Sequence, residues 1–143
     1  VENWYKRNLK EELNKQNKIL NYWIKYLTLK NYKGVNFEIV ADPTGNKINR
    51  LRIHINYKKA KFTSHSFSYY LEKNKPAIYV RDDLIHLMHF ELDTCNLKKG
   101  QEKIVMSEMN KLIQKFKRNE LKSNIFHKDY IKLAMKNWFD WNN

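Results

Sequence analysis

The segment VNFEIVADPTGNKINRLRIHIN, residues 35–56, decides the fold of this chain. Apolar and polar residues alternate on both sides of a turn sequence, which is the pattern of two strands that each bury one face. Within the turn, Pro43 presets φ, Gly45 permits positive φ, and Asp42 can accept hydrogen bonds from the backbone that follows it. We therefore predict an antiparallel hairpin. Its strands span residues 35–40 and 48–56.

Helices are predicted on both sides of this hairpin, because apolar residues recur there at spacings of three or four. Thr63 or Ser64 can cap the second helix, since either side chain can accept a hydrogen bond from a backbone N–H of the first turn. Gly100 precedes the third helix, and Gly34 closes the first. The predicted helices span residues 2–29, about 64–73, about 101–117 and about 127–140.

Two more strands are predicted between the second and third helices. Residues 77–81 are short and apolar and follow Pro76, where a helix could not continue. Residues 85–93 alternate in polarity and form the next strand, after a turn at residues 82–83. The element order is then α-β-β-α-β-β-α plus a C-terminal helix. It predicts an α/β (α+β) two-layer sandwich, in which a small, mainly antiparallel four-stranded sheet is covered by helices on one face.

The composition favours one domain with a hydrophobic core and a basic surface. The chain has 143 residues, 42% of them hydrophobic, and a formal net charge of +13. Such a charge suits an acidic partner such as nucleic acid, an anionic membrane or a phosphorylated ligand. However, only five of the 28 basic residues are arginine, which is the better side chain for bidentate phosphate or base contacts. We therefore expect a solvated lysine surface, no specific binding to nucleic acid and no membrane as a partner.

The location of the protein is predicted from its cysteine content and its apolar runs. Cys95 is the only cysteine, which excludes an internal disulfide and favours a reducing, cytoplasmic setting. No apolar run approaches the roughly 20 residues that cross a bilayer, and no secretory signal pattern begins the chain. Because the sequence starts at Val1 and enters a helical pattern almost at once, we expect a fragment of a longer protein.

A self-contained active site is not predicted. The sequence contains no GxGxxG, P-loop, HExxH or GxSxG motif. Ser64, Ser66 and Ser68 lie near His65, but residues two apart on a helix face different ways, which argues against a hydrolase triad.

A metal site is also not predicted. His86, His89 and Cys95 could be ligands, with His54 or His65 completing the set. However, His86 and His89 are three residues apart on a predicted strand and should point to opposite faces. We expect strand histidines that face solvent or a domain interface.

Arg81 is the candidate binding residue. It ends the predicted strand 77–81 just before a turn, and strand ends in α/β proteins face the crevices where ligands bind. Its guanidinium could clamp a carboxylate or a phosphate through two parallel hydrogen bonds. The alternative is a surface salt bridge with Asp82 or Asp83. Those two adjacent turn carboxylates should themselves point to water, which argues against an acid/base pair.

Several stretches of the chain resemble one family, the selenocysteine-synthase-like group of fold-type-I pyridoxal-phosphate enzymes. This group includes D-glucosaminate-6-phosphate ammonia-lyase-like members, and the resemblance is to their C-terminal small domain. It covers about residues 1–116, including residues 4–7 at the entry of the long first helix. The stretches are 35–40, 43–46 and 50–53 for the first hairpin, 75–81 for a "PPIYxR" strand, and 90–93, 97, 100–102 and 104–105 for an "ELDPRPLxPGxExxIV" passage.

The resemblance implies a pyridoxal-phosphate-dependent lyase or transferase acting on an amino acid or an amino sugar acid. It also implies that the cofactor and its lysine lie on a large domain that is not part of this chain, and that the complete enzyme forms an oligomer, such as a homo-oligomer. The small domain would close the active site, and Arg81, by its motif position, would contact the acid group of the substrate. No catalytic, cofactor-binding or metal residue is assigned here. Thr94, Cys95 and Asn96 replace the family's Pro-Arg-Pro, so any anion contact by that arginine is lost.

Two further expectations concern the boundaries of this domain and its basic surface. We expect the small domain over residues 1–118 and a helical extension over residues 119–143, which has no counterpart in the family. Arg50 and Arg52 are expected to face solvent or the missing domain. The alternative function is a free-standing basic α/β module that binds nucleic acid or an acidic partner. It would gather lysines into one stripe, with Tyr57 or Tyr79 exposed among them.

Overall fold

The fold is known from a computed structural model, which describes residues 8–142. It confirms a mixture of helices with a small antiparallel sheet. The predicted helix residues 2–7, including the stretch 4–7, lie outside the described residues. In chain order the elements are α1 (Leu9–Lys30), β1 (Val35–Ala41), β2 (Asn49–Ile55), α2 (Tyr57–Ala60), α3 (Ser64–Lys73), the 3₁₀ helix η1 (Ile85–Leu87), β3 (His89–Leu92), α4 (Gln101–Lys117) and α5 (His127–Asn142).

The predicted hairpin is formed by β1 and β2, which pair antiparallel from Val35 opposite Ile55 to Ala41 opposite Asn49. In its turn, Asp42 accepts hydrogen bonds from the backbone N–H and the hydroxyl of Thr44, at 3.2 and 2.7 Å. The local turn chemistry and the alternation of the strands therefore specify this part of the fold together.

Gly34, before β1, is required by a close approach between two segments. Its φ is +78°, and a Cβ atom on it would lie 2.4 Å from the backbone nitrogen of Ala60 in α2. Its carbonyl accepts a hydrogen bond from the N–H of Asn56 at 2.8 Å. The short helix α2 was not predicted, although Asn56 caps it with its side chain.

The prediction of a strand over residues 77–81 is wrong. Only Arg81 pairs with the sheet, as an isolated antiparallel bridge to Glu91. The N–H of Ile78 instead donates to the carbonyl of Leu71, in the last turn of α3, at 2.9 Å. Because the end of the helix takes this donor, residues 77–80 do not join the ladder. Among the described residues, the sheet has three strands in the order β1-β2-β3.

The strand predicted over residues 85–93 is shorter than expected. Its first part is the 3₁₀ helix η1, and Met88 has a φ of +65°, which no strand residue adopts. β3 therefore begins at His89, and its Phe90 lies opposite Ile53 of β2. His86 does not lie on a strand, so the argument that His86 and His89 alternate across a sheet does not apply.

The core lies between one face of the sheet and the helices α1, α3 and α4. Leu51 and Ile53 of β2 are completely buried in it. Trp23 of α1 is also buried, and its indole N–H donates to the carbonyl of Glu102 in α4 at 3.0 Å. This bond satisfies the polar atom of a large buried side chain, and it joins two helices that cover the sheet.

The C-terminal segment packs against α3 and η1. Ile125 and Tyr130 are buried in a second small cluster with Ile85. The hydroxyl of Ser66 accepts a hydrogen bond from the N–H of Ile125 at 2.8 Å. The division of the chain at residue 118 stays a prediction. None of the described helices combines the length and the apolar character that a membrane span requires.

Candidate ligand-binding site

The sheet carries a charged face opposite the core, which we call the polar sheet face: Glu38, Arg50, Arg52, His54, His89 and Glu91. The strand register places Glu38, Arg52 and Glu91 directly opposite one another across β1, β2 and β3. Arg52 donates to Glu91 Oε1 from Nη2 at 2.8 Å and from Nε at 3.1 Å. Opposite charges at directly opposed positions stabilise the strand pairing and hold the Arg52 guanidinium in place.

Arg50 is buried, which corrects the expectation that it faces solvent or a missing domain. Its side chain is 8% exposed, and its guanidinium lies 3.0 Å from Asp42, 3.4 Å from Glu91 and 3.5 Å from Asp93. Hydrogen bonds from Thr44 and Asn46, with a further contribution from Arg50, lower the pKa of Asp42 to about 2. Arg50 therefore ties the hairpin turn to the end of β3.

Arg81 is the most exposed arginine next to the polar sheet face. Its backbone is fixed by two hydrogen bonds with Glu91, at 2.9 and 3.0 Å. Its side chain is 44% exposed, and its ion pairs with Asp93 and Asp83 are long, at 3.5 and 4.0 Å. A guanidinium with a fixed backbone and long ion pairs can exchange a partner for an incoming anion at low cost.

A cavity of about 150 Å³ lies beside Arg81. This volume suits a small group such as a carboxylate or a phosphate. Three guanidinium groups and two carboxylates lie in its wall, and Asp42, Asp93 and Glu38 pair with the same arginines from outside it. The charged and polar side chains of the wall are Arg50, Arg52, Arg81, His89, Asp83 and Glu91.

His89 is the buried polar group of this cavity that sequence reasoning did not assign. Its Nε2 atom has no hydrogen-bond partner among residues 8–142. Burial, with the nearby Arg52 guanidinium and His54, lowers the pKa of the His89 imidazole, so the neutral form is favoured. An unpaired ring nitrogen beside three arginines can hydrogen-bond a ligand. Alternation over residues 85–93 does place His89 on the face opposite Phe90, but only the pairing of β2 with β3 brings it beside Arg52 and His54.

The described residues do not fit the role of holding pyridoxal phosphate. A lysine that forms a Schiff base needs an enclosed site that lowers its pKa. Every lysine between residues 8 and 142 is exposed to solvent. The described part of the chain therefore offers no lysine suited to a Schiff base with this cofactor.

The structure separates the histidines that were considered as metal ligands into two groups. The rings of His54 and His89 lie 5.2 Å apart on the polar sheet face. His65 instead lies 3.3 Å, between Nε2 and Nδ1, from His127 at the start of α5, and His86 neighbours His127 with a ring distance of 5.7 Å.

The second group, His65, His86 and His127, was not foreseen, because His65 and His127 are 62 residues apart in the chain. Over residues 8–142, no cluster of three histidine, cysteine, aspartate or glutamate side chains has a geometry that could hold a metal ion. The Cys95 sulfur lies away from the histidines, 3.9 Å from Nε2 of Gln16.

Comparison with a solved structure relates the fold to one known protein. A structure of D-glucosaminate-6-phosphate ammonia-lyase superimposes on this chain with a TM-score of 0.52 and 22% sequence identity. The match covers 57% of this chain and 22% of that one, so the similarity concerns about a fifth of the neighbour. At this identity the similarity is one of fold. Protein-family models and curated proteins give no match to the sequence.

Proposed function

We propose that this chain is a small domain that closes over the active site of a pyridoxal-phosphate enzyme and supplies Arg81 to bind the acid group of the substrate. The large domain, which carries the cofactor and its lysine, lies outside this sequence. The reaction is a lyase or transferase reaction on an amino acid or an amino sugar acid. One observation carries this proposal: an exposed, weakly paired Arg81 beside a cavity lined by arginines, in a fold shared with an ammonia-lyase.

The choice of Arg81 over the other two arginines of the cavity follows from their ion pairs. Arg50 and Arg52 each have a carboxylate oxygen within 3.0 Å, and their side chains are only 8% and 27% exposed. If Arg50 or Arg52 turned toward a ligand, the buried carboxylate it now pairs with would be left without a neutralising charge. Arg81 can turn toward a ligand while Asp93 keeps the guanidinium of Arg50 as a neighbour.

An adjacent apolar groove supports closure against a second body. It has a volume of about 380 Å³ and contains Ile78, Tyr79 and Ile104, of which Tyr79 is 77% exposed. Asp93 lines this groove and also pairs with Arg81, so the groove and the cavity beside Arg81 are neighbours. A domain that covers the groove would also enclose the Arg81 guanidinium and strengthen its contact with an anion.

The test is an NMR titration of the 143-residue chain with D-glucosaminate 6-phosphate as the probe. We expect the Nε–Hε signal of Arg81 to shift, and the shift of neighbouring signals to be lost in Arg81→Ala. Arg118→Ala is the matched control, because Arg118 is exposed and pairs with Glu120 on another part of the surface. A titration in which Arg81→Ala behaves like the unsubstituted chain would contradict the assignment. So would a stable aldimine absorbance band formed by this chain alone with pyridoxal phosphate.

A basic module that binds nucleic acid is the second candidate. It is favoured by a cleft of about 420 Å³ between α1 and α4, which four lysines line: Lys15, Lys18, Lys99 and Lys103. Tyr22 lies in the same cleft. Binding to a random oligonucleotide that weakens steeply with salt would favour this candidate. No binding at low salt would exclude it.

A further inference from the structure

One face of helix α5 packs against the rest of the protein, and a second face carries a row of apolar side chains. Tyr130 holds the helix to the body and is buried. Ile131, Met135 and Trp138 follow one another at spacings of four and three residues, so they form one row along the helix. They are 44%, 55% and 62% exposed, which is unusual for three large apolar side chains in succession.

A row of lysines lies next to this apolar row. Lys128 and Lys132 each precede a member of the apolar row by three residues, which makes them its neighbours on the helix surface. Lys136 stands in the same relation to Phe139, which is 53% exposed. All three lysines are exposed. The acidic residues of α5, Asp129 and Asp140, flank the other side of the lysine row, three residues from Lys132 and four from Lys136, so three lysines stand against two carboxylates on this helix.

This arrangement argues against an antiparallel pair of α5 helices from two copies of the chain as the occupant. In an antiparallel pair of α5 helices, a two-fold axis would bring the lysine row of one copy against the lysine row of the other. Like charges at such positions are destabilising. An occupant with a negative surface and an apolar layer beneath it would match both rows at once.

We propose that the face of α5 formed by Ile131, Met135, Trp138, Phe139 and the lysine row 128, 132 and 136 binds the surface of an anionic lipid bilayer. Apolar and aromatic side chains enter the boundary between headgroups and acyl chains, and lysines beside them reach back to the headgroups. The net charge of +13 adds a long-range attraction to the same surface. Trp141, at the end of the helix, is 87% exposed and extends the aromatic contact.

The experiment is co-sedimentation of the 143-residue chain with vesicles of phosphatidylcholine alone and of phosphatidylcholine mixed with phosphatidylserine. We expect binding to the mixed vesicles only, with a blue shift of tryptophan emission. The triple variant Lys128→Gln, Lys132→Gln, Lys136→Gln should weaken binding on the order of a hundredfold. The double variant Met135→Ser, Trp138→Ser should also weaken it and remove the blue shift, although the net charge is unchanged.

The matched control is Lys15→Gln, Lys18→Gln, Lys103→Gln, which removes the same charge from α1 and α4. It should keep most of the binding. If the two lysine variants lost binding equally, or if the double variant bound fully, net charge alone would explain the binding. Either result would overturn the proposal. Failure to bind the mixed vesicles would overturn it too. Self-association in solution that is lost in the double variant would replace the bilayer with a second copy.

Discussion

Thr63 is completely buried although it carries a hydroxyl group, and its surroundings satisfy that group. Its Oγ1 accepts a hydrogen bond from the N–H of Ser66 at 3.0 Å, which caps α3. The same hydroxyl donates to the carbonyl of Ile125. One side chain therefore begins a helix and also fixes the segment that leads into α5.

We expect Thr63→Ala to lower the free energy of unfolding by about 1–3 kcal/mol, because it removes a cap and leaves a buried carbonyl without its donor. Urea denaturation followed by circular dichroism measures this change. Thr28→Ala is the control: Thr28 is exposed and its hydroxyl donates to the carbonyl of Ile24 within α1. Equal effects of the two substitutions would show that the contact with Ile125 contributes nothing.

His65 makes the stability of the protein depend on pH. Burial, with a smaller contribution from His127 and His86, lowers its pKa from 6.5 to about 4. The neighbouring ring of Tyr130 is uncharged, since its hydroxyl donates to Asp82. Between pH 6.5 and 4 the unfolded chain binds a proton that the folded chain does not bind. The free energy of unfolding therefore falls over this range, by about 3 kcal/mol in total.

The measurement is the free energy of unfolding of the protein and of His65→Gln from pH 7.5 to pH 4. The variant should lose less stability on acidification, because the titrating group is absent. His54→Gln, which changes a half-exposed imidazole on the polar sheet face, should follow the unsubstituted protein more closely. Parallel curves for the protein and His65→Gln would refute the assignment.

At the scale of elements, α5 is attached to the body through a short hydrogen-bond chain. The Tyr130 hydroxyl lies 3.0 Å from the Ser68 hydroxyl of α3 and donates to the carboxylate of Asp82. Asp82 follows Arg81 in the chain. The attachment of the C-terminal helix is thereby connected to the segment that carries the candidate binding residue.

We expect Tyr130→Phe to destabilise the docking of α5 by about 1–3 kcal/mol, because Asp82 and Ser68 lose a buried partner. Amide hydrogen exchange should become faster in residues 127–140 than in the sheet. Tyr79→Phe, at a 77% exposed position, is the control and should change neither region. Uniform acceleration across both regions would indicate that α5 does not open separately.

The helices and the first hairpin were predictable because their signals are local. The periodicity of apolar residues and the Thr63 and Gly100 boundaries place α3 and α4 close to their observed limits. The third predicted strand did not form, and the fourth is shorter than predicted, because contacts far apart in the sequence decide both. The N–H of Ile78 donates to the carbonyl of Leu71 in α3, and a linear pattern does not reveal that acceptor.

At the scale of the whole molecule, the candidate site was only partly predictable. Arg81 was proposed from its position at the end of an apolar stretch, and its binding role stays a prediction. Its surroundings could not be predicted, because Asp42, Arg50 and Asp93 come from the hairpin turn, β2 and the segment after β3. Only the strand register brings these charges together, and it makes Arg50 a buried structural residue instead of a surface group.

The sequence alone determined the four longer helices and the β1–β2 hairpin, since each follows from propensities and spacings within a few residues. The tertiary structure decided which backbone donors join the sheet, which arginine keeps an exposed guanidinium, and where α5 docks. The physical reason is competition. Each buried hydrogen-bonding or charged group has several possible partners, and long-range packing selects one of them.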